Sequence, residues 1–216
     1  MPTDDQDLLD RWAATLPNQP EMGERLLQRY QEPHRRYHNV DHLRQVLTMV
    51  DSLADNQDLF LVRLAAWFHD AIYDIPPREL TNEEASARLA IRELGRAGLE
   101  QEDLNQVARL VRLTAGHVPG ARDPEGELLC DADLAVLAAP PEDYARYVEA
   151  VRDEYAQVPE ESFLAGRLAV LIDLAKKPLF RTGKGQRLLA AANQNLEDEI
   201  RSLSDRLGIP VEGSQV

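Results

Sequence analysis

The chain has 216 residues, with 44% hydrophobic and 29% charged positions and a formal net charge of −14. This length allows one substantial core and favours a single domain. The acidic balance argues against a nucleic-acid polymer or an anionic membrane surface as the partner. A small anionic substrate stays possible, because a metal ion and a few arginines outweigh distant charges that salt screens.

The chain has one cysteine, Cys130, so an intrachain disulfide is excluded. The N-terminus is acidic where a signal peptide is basic, and no segment approaches the roughly 20 apolar residues of a membrane span. These features predict a cytoplasmic protein.

Apolar periodicity and the Gly and Pro positions predict helices and no strand, so the expected fold class is all-α. The helices are predicted at 5–16, 21–30, 40–53, 58–72, 81–96, 101–115, 127–138, 141–156, 160–176 and 185–207. Thr81 and Glu84 form a capping-box signature at the start of the fifth helix. Three glycines and two prolines at 116–126 predict a loop that could cover a site.

The predicted helix at 58–72 is apolar on nearly every side apart from Arg63, as expected for a helix surrounded by others. His69 and Asp70 fall in its last turns, where they are costly to bury without partners. Asp70 could pair with an arginine or cap a helix while His69 bonds a carbonyl, or both could bind a divalent ion. Adjacent helical residues diverge by about 100°, so a shared ion requires a bent carboxylate or a distorted last turn.

His38 and His42 are spaced i, i+4, which places them on one face if the helix already includes position 38. Both could be metal ligands, or one could bind the ion while the other transfers a proton. Asp131 and Asp133 are predicted at the start of an apolar helix, where carboxylates are also expected as caps. Capping suits Asp131 better and leaves Asp133 free to face inward.

The ordered set His42, then His69 and Asp70, then Asp133 resembles the signature of the HD-domain metal-dependent phosphohydrolases. RRYHNVDH, NEEASA, TAGH, VRDEY and AGRLAVLIDL are similar to a bacterial branch of that superfamily, over about residues 25–200. The resemblance implies a single-domain helical bundle at 25–207, with an N-terminal helix packed on it at 1–24 and a tail at 208–216. It also implies one divalent ion (Mn, Fe, Co, Ni or Mg) held by these four residues.

YHNVDH is also similar to the Tyr-His-Asn-x-x-His stretch of cyclic-nucleotide phosphodiesterases. That resemblance implies that His38 is the general acid and His42 a ligand. The chain departs from those enzymes after Asp70, where AIYDIPP replaces His-Pro-Gly, and it is much shorter than their catalytic domain. Cyclic-nucleotide specificity is therefore not expected.

The resulting hypothesis is hydrolysis of a small phosphorylated substrate, either a nucleotide or another phosphomonoester or anhydride. The ion would activate a water molecule, and His38 would protonate the leaving oxygen. Arg35, Arg36 and Tyr37 are candidate substrate contacts, with Arg36 offsetting charge on the phosphoryl oxygens.

Two further positions have open interpretations. Asp74 could orient the attacking water or be a solvated or helix-terminal carboxylate. His117 could touch phosphate, support a second ion or cap the preceding helix. A regulatory module that binds the ion or a nucleotide without turnover, and a di-iron oxygenase, are the alternative functions. The sequence does not give the oligomeric state.

Overall fold

The computed structural model of the protein describes residues 5–55 and 58–209. Among these residues the regular structure is helical and contains no β-strand, which confirms the all-α prediction. Positions 210–216 of the predicted tail, and positions 1–4 of the predicted N-terminal segment, lie outside the described residues. No helix in the described ranges combines the length and apolarity needed to cross a membrane.

The chain divides into two compact units, Met1–Asp133 and Leu134–Val216. The predicted 25–207 domain extends across both. The first unit contains α1 (Gln6–Thr15), α2 (Pro20–Tyr30), α3 (Val40–Leu53), α4 (Phe60–Phe68), α5 (Asn82–Arg96), α6 (Gln101–Leu113) and α7 (Pro124–Asp133). The second contains a 3-10 helix (Leu134–Ala138), α8 (Pro141–Glu154), α9 (Glu160–Ala175), a second 3-10 helix (Gly185–Leu188) and α10 (Leu189–Leu207).

Helix α4 is the centre of the first unit, as its uniformly apolar sequence predicts. Residues 64–68 are completely buried, and α4 packs against α1, α3, α5, α6 and α7. Its one charged residue, Arg63, reaches outward to form an ion pair with Asp51. The His-Asp pair that follows α4 therefore begins inside the core.

The contact between α1 and α2 depends on Trp12. Its ring is buried against Trp67 at a centroid distance of 5.2 Å, and its Nε1–H donates to the Gln19 carbonyl. A Cβ atom at Gly23 would lie 2.4 Å from the Trp12 ring. Only glycine therefore lets α2 approach this indole so closely.

The second unit has its own apolar core, which includes Leu171, Phe180 and Leu196. A polar network lies beside that core, where Arg167 donates two hydrogen bonds to the Glu199 carboxylate and a third to the Tyr147 hydroxyl. The side chains of Arg167 and Glu199 are only 10% and 7% exposed. The network therefore links α8, α9 and α10 through a nearly buried ion pair.

Two predicted helices have wrong boundaries. The helix predicted at 58–72 ends at Phe68. The helix predicted at 127–138 begins at Pro124 and changes to a 3-10 helix at Leu134, because proline suits a first helical turn and the Asp123 carboxylate accepts from the Gly126 N–H. Asp131 consequently lies near the end of α7, fully buried, and does not have the N-terminal capping role that the sequence suggested.

Candidate metal centre

The site begins at the C-terminal end of α4, where the backbone leaves the α-helix. The Ala71 N–H bonds to the Phe68 carbonyl at 3.1 Å, three residues back instead of four. This tighter turn brings His69 Nε2 within 3.0 Å of Asp70 Oδ2. It is the distortion of the last turn that a shared ion requires of two adjacent residues.

His42 comes from the first turn of α3. The Asn39 side chain caps this helix by accepting hydrogen bonds from the N–H groups of Asp41 and His42. Because α3 begins at Val40, His38 precedes the cap, and the condition for both histidines to share one helix face is not met. The two imidazoles are nevertheless neighbours, with ring centroids 5.6 Å apart.

Asp133, the last residue of α7, completes the group. Its Oδ1 lies 3.2 Å from His42 Nε2 and 3.5 Å from His69 Nε2. The two imidazole nitrogens are 3.1 Å apart, and Asp70 Oδ2 is 3.4 Å from His42 Nε2. Three helix termini, from α3, α4 and α7, thus converge on one point.

These separations match the edges of a coordination shell. Ligand atoms at about 2.1 Å from one ion are separated by about 3.0 Å in an octahedron and about 3.4 Å in a tetrahedron. His42, His69 and Asp133 have ligand atoms that all lie within 4.8 Å of one another. Asp70 falls outside that mutually compact set, although its carboxylate contacts both imidazoles. The donor set of imidazoles and carboxylates suits a divalent ion.

The tautomer of His69 is also right for a ligand. Its Nδ1 lies 2.8 Å from the Ala66 carbonyl, which can only accept, so Nδ1–H is the donor. In the neutral imidazole Nε2 then carries the lone pair, and Nε2 is the atom that faces His42, Asp70 and Asp133.

The four side chains His42, His69, Asp70 and Asp133 shift one another's pKa values. Burial alone lowers the pKa of His42, but hydrogen bonds to Asp133 and Asp70 outweigh it and the net pKa is raised. Burial also lowers the pKa of His69. The charges of Asp70 and the other nearby groups outweigh burial, so the pKa is raised well above its ordinary value. Burial raises the pKa values of Asp70 and Asp133, but the His69 charge and the charges and hydrogen bonds of the other nearby histidines together outweigh it, so both pKa values are well below the ordinary range.

His117 lies against the cluster. It has a left-handed backbone (φ 52°), and its N–H bonds to the Leu113 carbonyl at the end of α6. Its side chain does not cap that helix, because Nε2 lies 2.8 Å from Asp133 Oδ2. A non-glycine residue in this backbone region is uncommon, although histidine adopts it more often than most residues.

His38 and Tyr37 stand at the rim of the cluster. The His38 ring stacks on the Tyr73 ring, with centroids 3.8 Å apart and planes at 20°. The Tyr37 ring lies 4.8 Å from the His42 ring. His38 therefore lies beside the ligand group.

Arg35, a candidate substrate contact from sequence, has a completely buried side chain. Its Nε donates to Glu32, its Nη1 to the carbonyls of His38 and Asp70, and its Nη2 to the carbonyl of Ala71. These contacts make Arg35 a support of the site, and a substrate contact of Arg35 stays a prediction from the sequence.

Arg36, a candidate substrate contact, and Asp74, a candidate for orienting water, have different surroundings in the structure. Arg36 is exposed, and its carbonyl accepts a hydrogen bond from the Asn39 side chain. The Asp74 carboxylate forms an ion pair with Arg78, with Nε and Oδ2 3.0 Å apart.

Sequence reasoning gave no role to Tyr73, Asn82 or Ser86. Asn82 bonds both backbone groups of Asp74, and Ser86 both of Ile72. Tyr73 lies within HDAIYD, and Asn82 and Ser86 lie within NEEASA. Polar residues on the buried face of α5 were the sequence signal that could have indicated this support.

An all-α protein whose helix ends place His42, His69 and Asp133 where they could hold one metal ion has the arrangement of the helical metal-binding class. A scan with family models matched the HD domain over residues 39–208, and the chain belongs to the HD-domain family. That family consists generally of metal-dependent phosphohydrolases. The matched range contains all four ligand candidates.

Among solved structures, Bacillus subtilis YpgQ in complex with ADP matches with a TM-score of 0.46 and 17% identity. The match covers 85% of this chain and 97% of that chain. A search of curated proteins gave no match. The family assignment therefore rests on the family model.

Proposed function

We propose that the protein is a metal-dependent phosphohydrolase that acts on a small phosphorylated substrate, a nucleotide or another phosphomonoester or anhydride. The observation that carries the proposal is the convergence of His42 Nε2, His69 Nε2 and Asp133 Oδ1, which lie 3.1–3.5 Å apart, with Asp70 Oδ2 at 3.0 Å and 3.4 Å from the two imidazole nitrogens. His42, His69, Asp70 and Asp133 would hold the ion. A divalent cation bound there supplies a water of lowered pKa and offsets phosphate charge.

The remaining residues supply proton transfer and substrate contacts. His38 lies at the rim and is the candidate donor of a proton to the leaving oxygen, since an imidazole can serve as a general acid there. His117 holds the Asp133 carboxylate through Oδ2, which leaves Oδ1 directed at the two imidazoles. Arg36 and Tyr37 are the proposed contacts for the substrate, and Asp74 stays a candidate for orienting water.

The proposal is tested on protein freed of metal by chelation and then reloaded with Mn, Co, Ni or Mg. Phosphate release is measured across nucleotides, sugar phosphates and other small phosphorylated compounds. Turnover should require metal, and Asp70→Ala should abolish it while circular dichroism shows a folded protein. His38→Ala should lower kcat by about 100-fold or more, the usual contribution of a general acid. Metal binding without turnover of any compound would favour the regulatory module, and a full-rate His38→Ala enzyme would remove His38 from the acid role.

A further inference from the structure

The five residues after His69 have an unusual backbone environment. We call residues 70–74 the support segment. Each of its carbonyl oxygens accepts a hydrogen bond from a side chain: those of Asp70 and Ala71 from Arg35, that of Ile72 from Ser86, that of Tyr73 from His34 and that of Asp74 from Asn82. Irregular segments commonly leave such groups to water. Side chains from α5 and from the segment before α3 therefore fix the support segment along its whole length.

Arg35 connects this segment to the proposed acid. Its Nη1 lies 2.7 Å from the Asp70 carbonyl and 2.9 Å from the His38 carbonyl, so one nitrogen binds the backbone of a ligand residue and that of the acid. The guanidinium also lies 5.2 Å from the Tyr30 ring centre and 5.9 Å from that of Tyr73. A planar fork between two rings holds a fixed geometry that a flexible lysine ammonium does not reproduce.

Tyr73 makes the second connection, through side chains. Its backbone belongs to the support segment, and its ring stacks on the His38 imidazole at 3.8 Å. The ring of the proposed acid therefore stacks on a residue of the same segment that carries Asp70.

We propose that Arg35 and Tyr73 are positioning residues that hold the His38 imidazole in a fixed place relative to the Asp70 carboxylate. The inference rests on the proposed function, since it takes His38 as the acid. Positioning of this kind matters because misplacement by about 1 Å can cost roughly 100-fold in rate. If the contacts served folding alone, their loss would lower stability without selecting between substrates.

The test compares Tyr73→Leu, which removes the stacked ring, with Tyr73→Phe, which keeps it. Both are assayed with Mn²⁺ on phenyl phosphate and on p-nitrophenyl phosphate. Nitrophenolate leaves without needing a proton, so the acid matters mainly for phenyl phosphate. Tyr73→Leu should lower kcat on phenyl phosphate by about tenfold more than on p-nitrophenyl phosphate, with KM and Mn²⁺ affinity unchanged. Tyr73→Phe should resemble the wild type on both.

Arg35→Lys is the second variant, with its fold checked by circular dichroism. It should show the same selective loss, because lysine keeps the charge but cannot bind all the carbonyls at once. Equal loss on the two substrates, or no loss in either Tyr73→Leu or Arg35→Lys, would overturn the inference.

A measurement without turnover separates this inference from the proposed function. In Mg²⁺-loaded protein, the ¹³C order parameter of the His38 ring should fall in Tyr73→Leu and Arg35→Lys and stay constant in Tyr73→Phe. An unchanged order parameter overturns the positioning role even if hydrolysis is found. An inactive wild type with the expected loss of order overturns the proposed hydrolysis and leaves the rigid attachment of His38 established.

Discussion

Replacing Asp133 by Asn should remove most of the stabilisation that a divalent ion gives the fold. Asn has the size of Asp and can still accept a hydrogen bond from His117, so the variant changes little except the charge and the ligand oxygen. In the native chain that oxygen lies 3.2 Å and 3.5 Å from the two imidazole nitrogens, at the spacing of coordinated neighbours. The substitution therefore tests the ligand role and not the packing.

The size of the effect follows from linkage. An ion at 100 times its dissociation constant stabilises the folded state by about 2.7 kcal/mol. Changes in the support of a metal ligand cost 10–100-fold in affinity, and loss of an anionic ligand belongs at least at the upper end of that range (roughly 100-fold). The stabilisation at the same ion concentration would then fall to about 0.4 kcal/mol. For a chain of this length these values correspond to Tm shifts of roughly 5–11 °C and roughly 1–2 °C.

The assay is thermal unfolding of chelated protein with and without Mn²⁺, and the quantity compared is the metal-induced shift within each variant. Asp51→Asn is the matched control, since it makes the same charge change in the same unit but at an exposed residue paired with Arg11 and Arg63. It should keep the full shift. A full shift in Asp133→Asn, or an equal loss in Asp51→Asn, would refute the assignment of Asp133 as a ligand.

Three further outcomes are expected. The pKa values of both cluster imidazoles are raised in the metal-free protein, so their protonation stabilises the fold below the unfolded value of about 6.5. That contribution is lost as the pH rises through the pKa values of the folded state. Chelated protein should therefore unfold at a lower urea concentration at pH 9 than at pH 7, and Mn²⁺ should reduce the difference. Arg167→Met should cost about 3–5 kcal/mol in urea unfolding, because it leaves the Glu199 carboxylate buried without its cation, and adding Glu199→Leu should recover part of the loss. Gly23→Ala should cost about 1–3 kcal/mol through overpacking against the Trp12 indole ring. Gly166→Ala, with open space around the new methyl group in α9, should stabilise the fold by about 0.5–1 kcal/mol. Equal effects of the two substitutions in thermal unfolding would contradict the packing argument.

The sequence was sufficient for the fold class and for the bounds of α3, the helix that carries His42. Helical periodicity is a local property, and the bounds predicted for α3, 40–53, agree with the observed Val40–Leu53. The His69–Asp70 pair was recognisable because two polar groups at the end of a wholly apolar helix demand a partner. Composition and spacing therefore marked the polar end of this helix, whereas the ligand set of His42, His69, Asp70 and Asp133 followed from the resemblance to the HD-domain family.

The support of the site was not predictable in the same way. Arg35 lies next to the histidine motif, where an arginine suggests a phosphate contact, yet it bonds carbonyls 35 and 36 residues further along the chain. Nothing in the local sequence distinguishes a guanidinium that faces a substrate from one that faces the backbone. The α7 boundary failed for a related reason, because Pro124 and Gly126 favour a loop until the Asp123 cap is known.

The charge balance of the cluster connects the metal prediction with the pH prediction. Two ionised carboxylates buried beside two neutral imidazoles would have a net charge of about −2, which is costly away from water. The metal-free protein offsets this charge by holding protons on His42 and His69, which is why their pKa values are raised despite burial. A divalent cation provides the same two positive charges but requires both nitrogens to be deprotonated. Protons and a metal ion therefore compete for the same imidazole nitrogens. Binding of the ion should release protons in proportion to the fraction of His42 and His69 that is protonated beforehand.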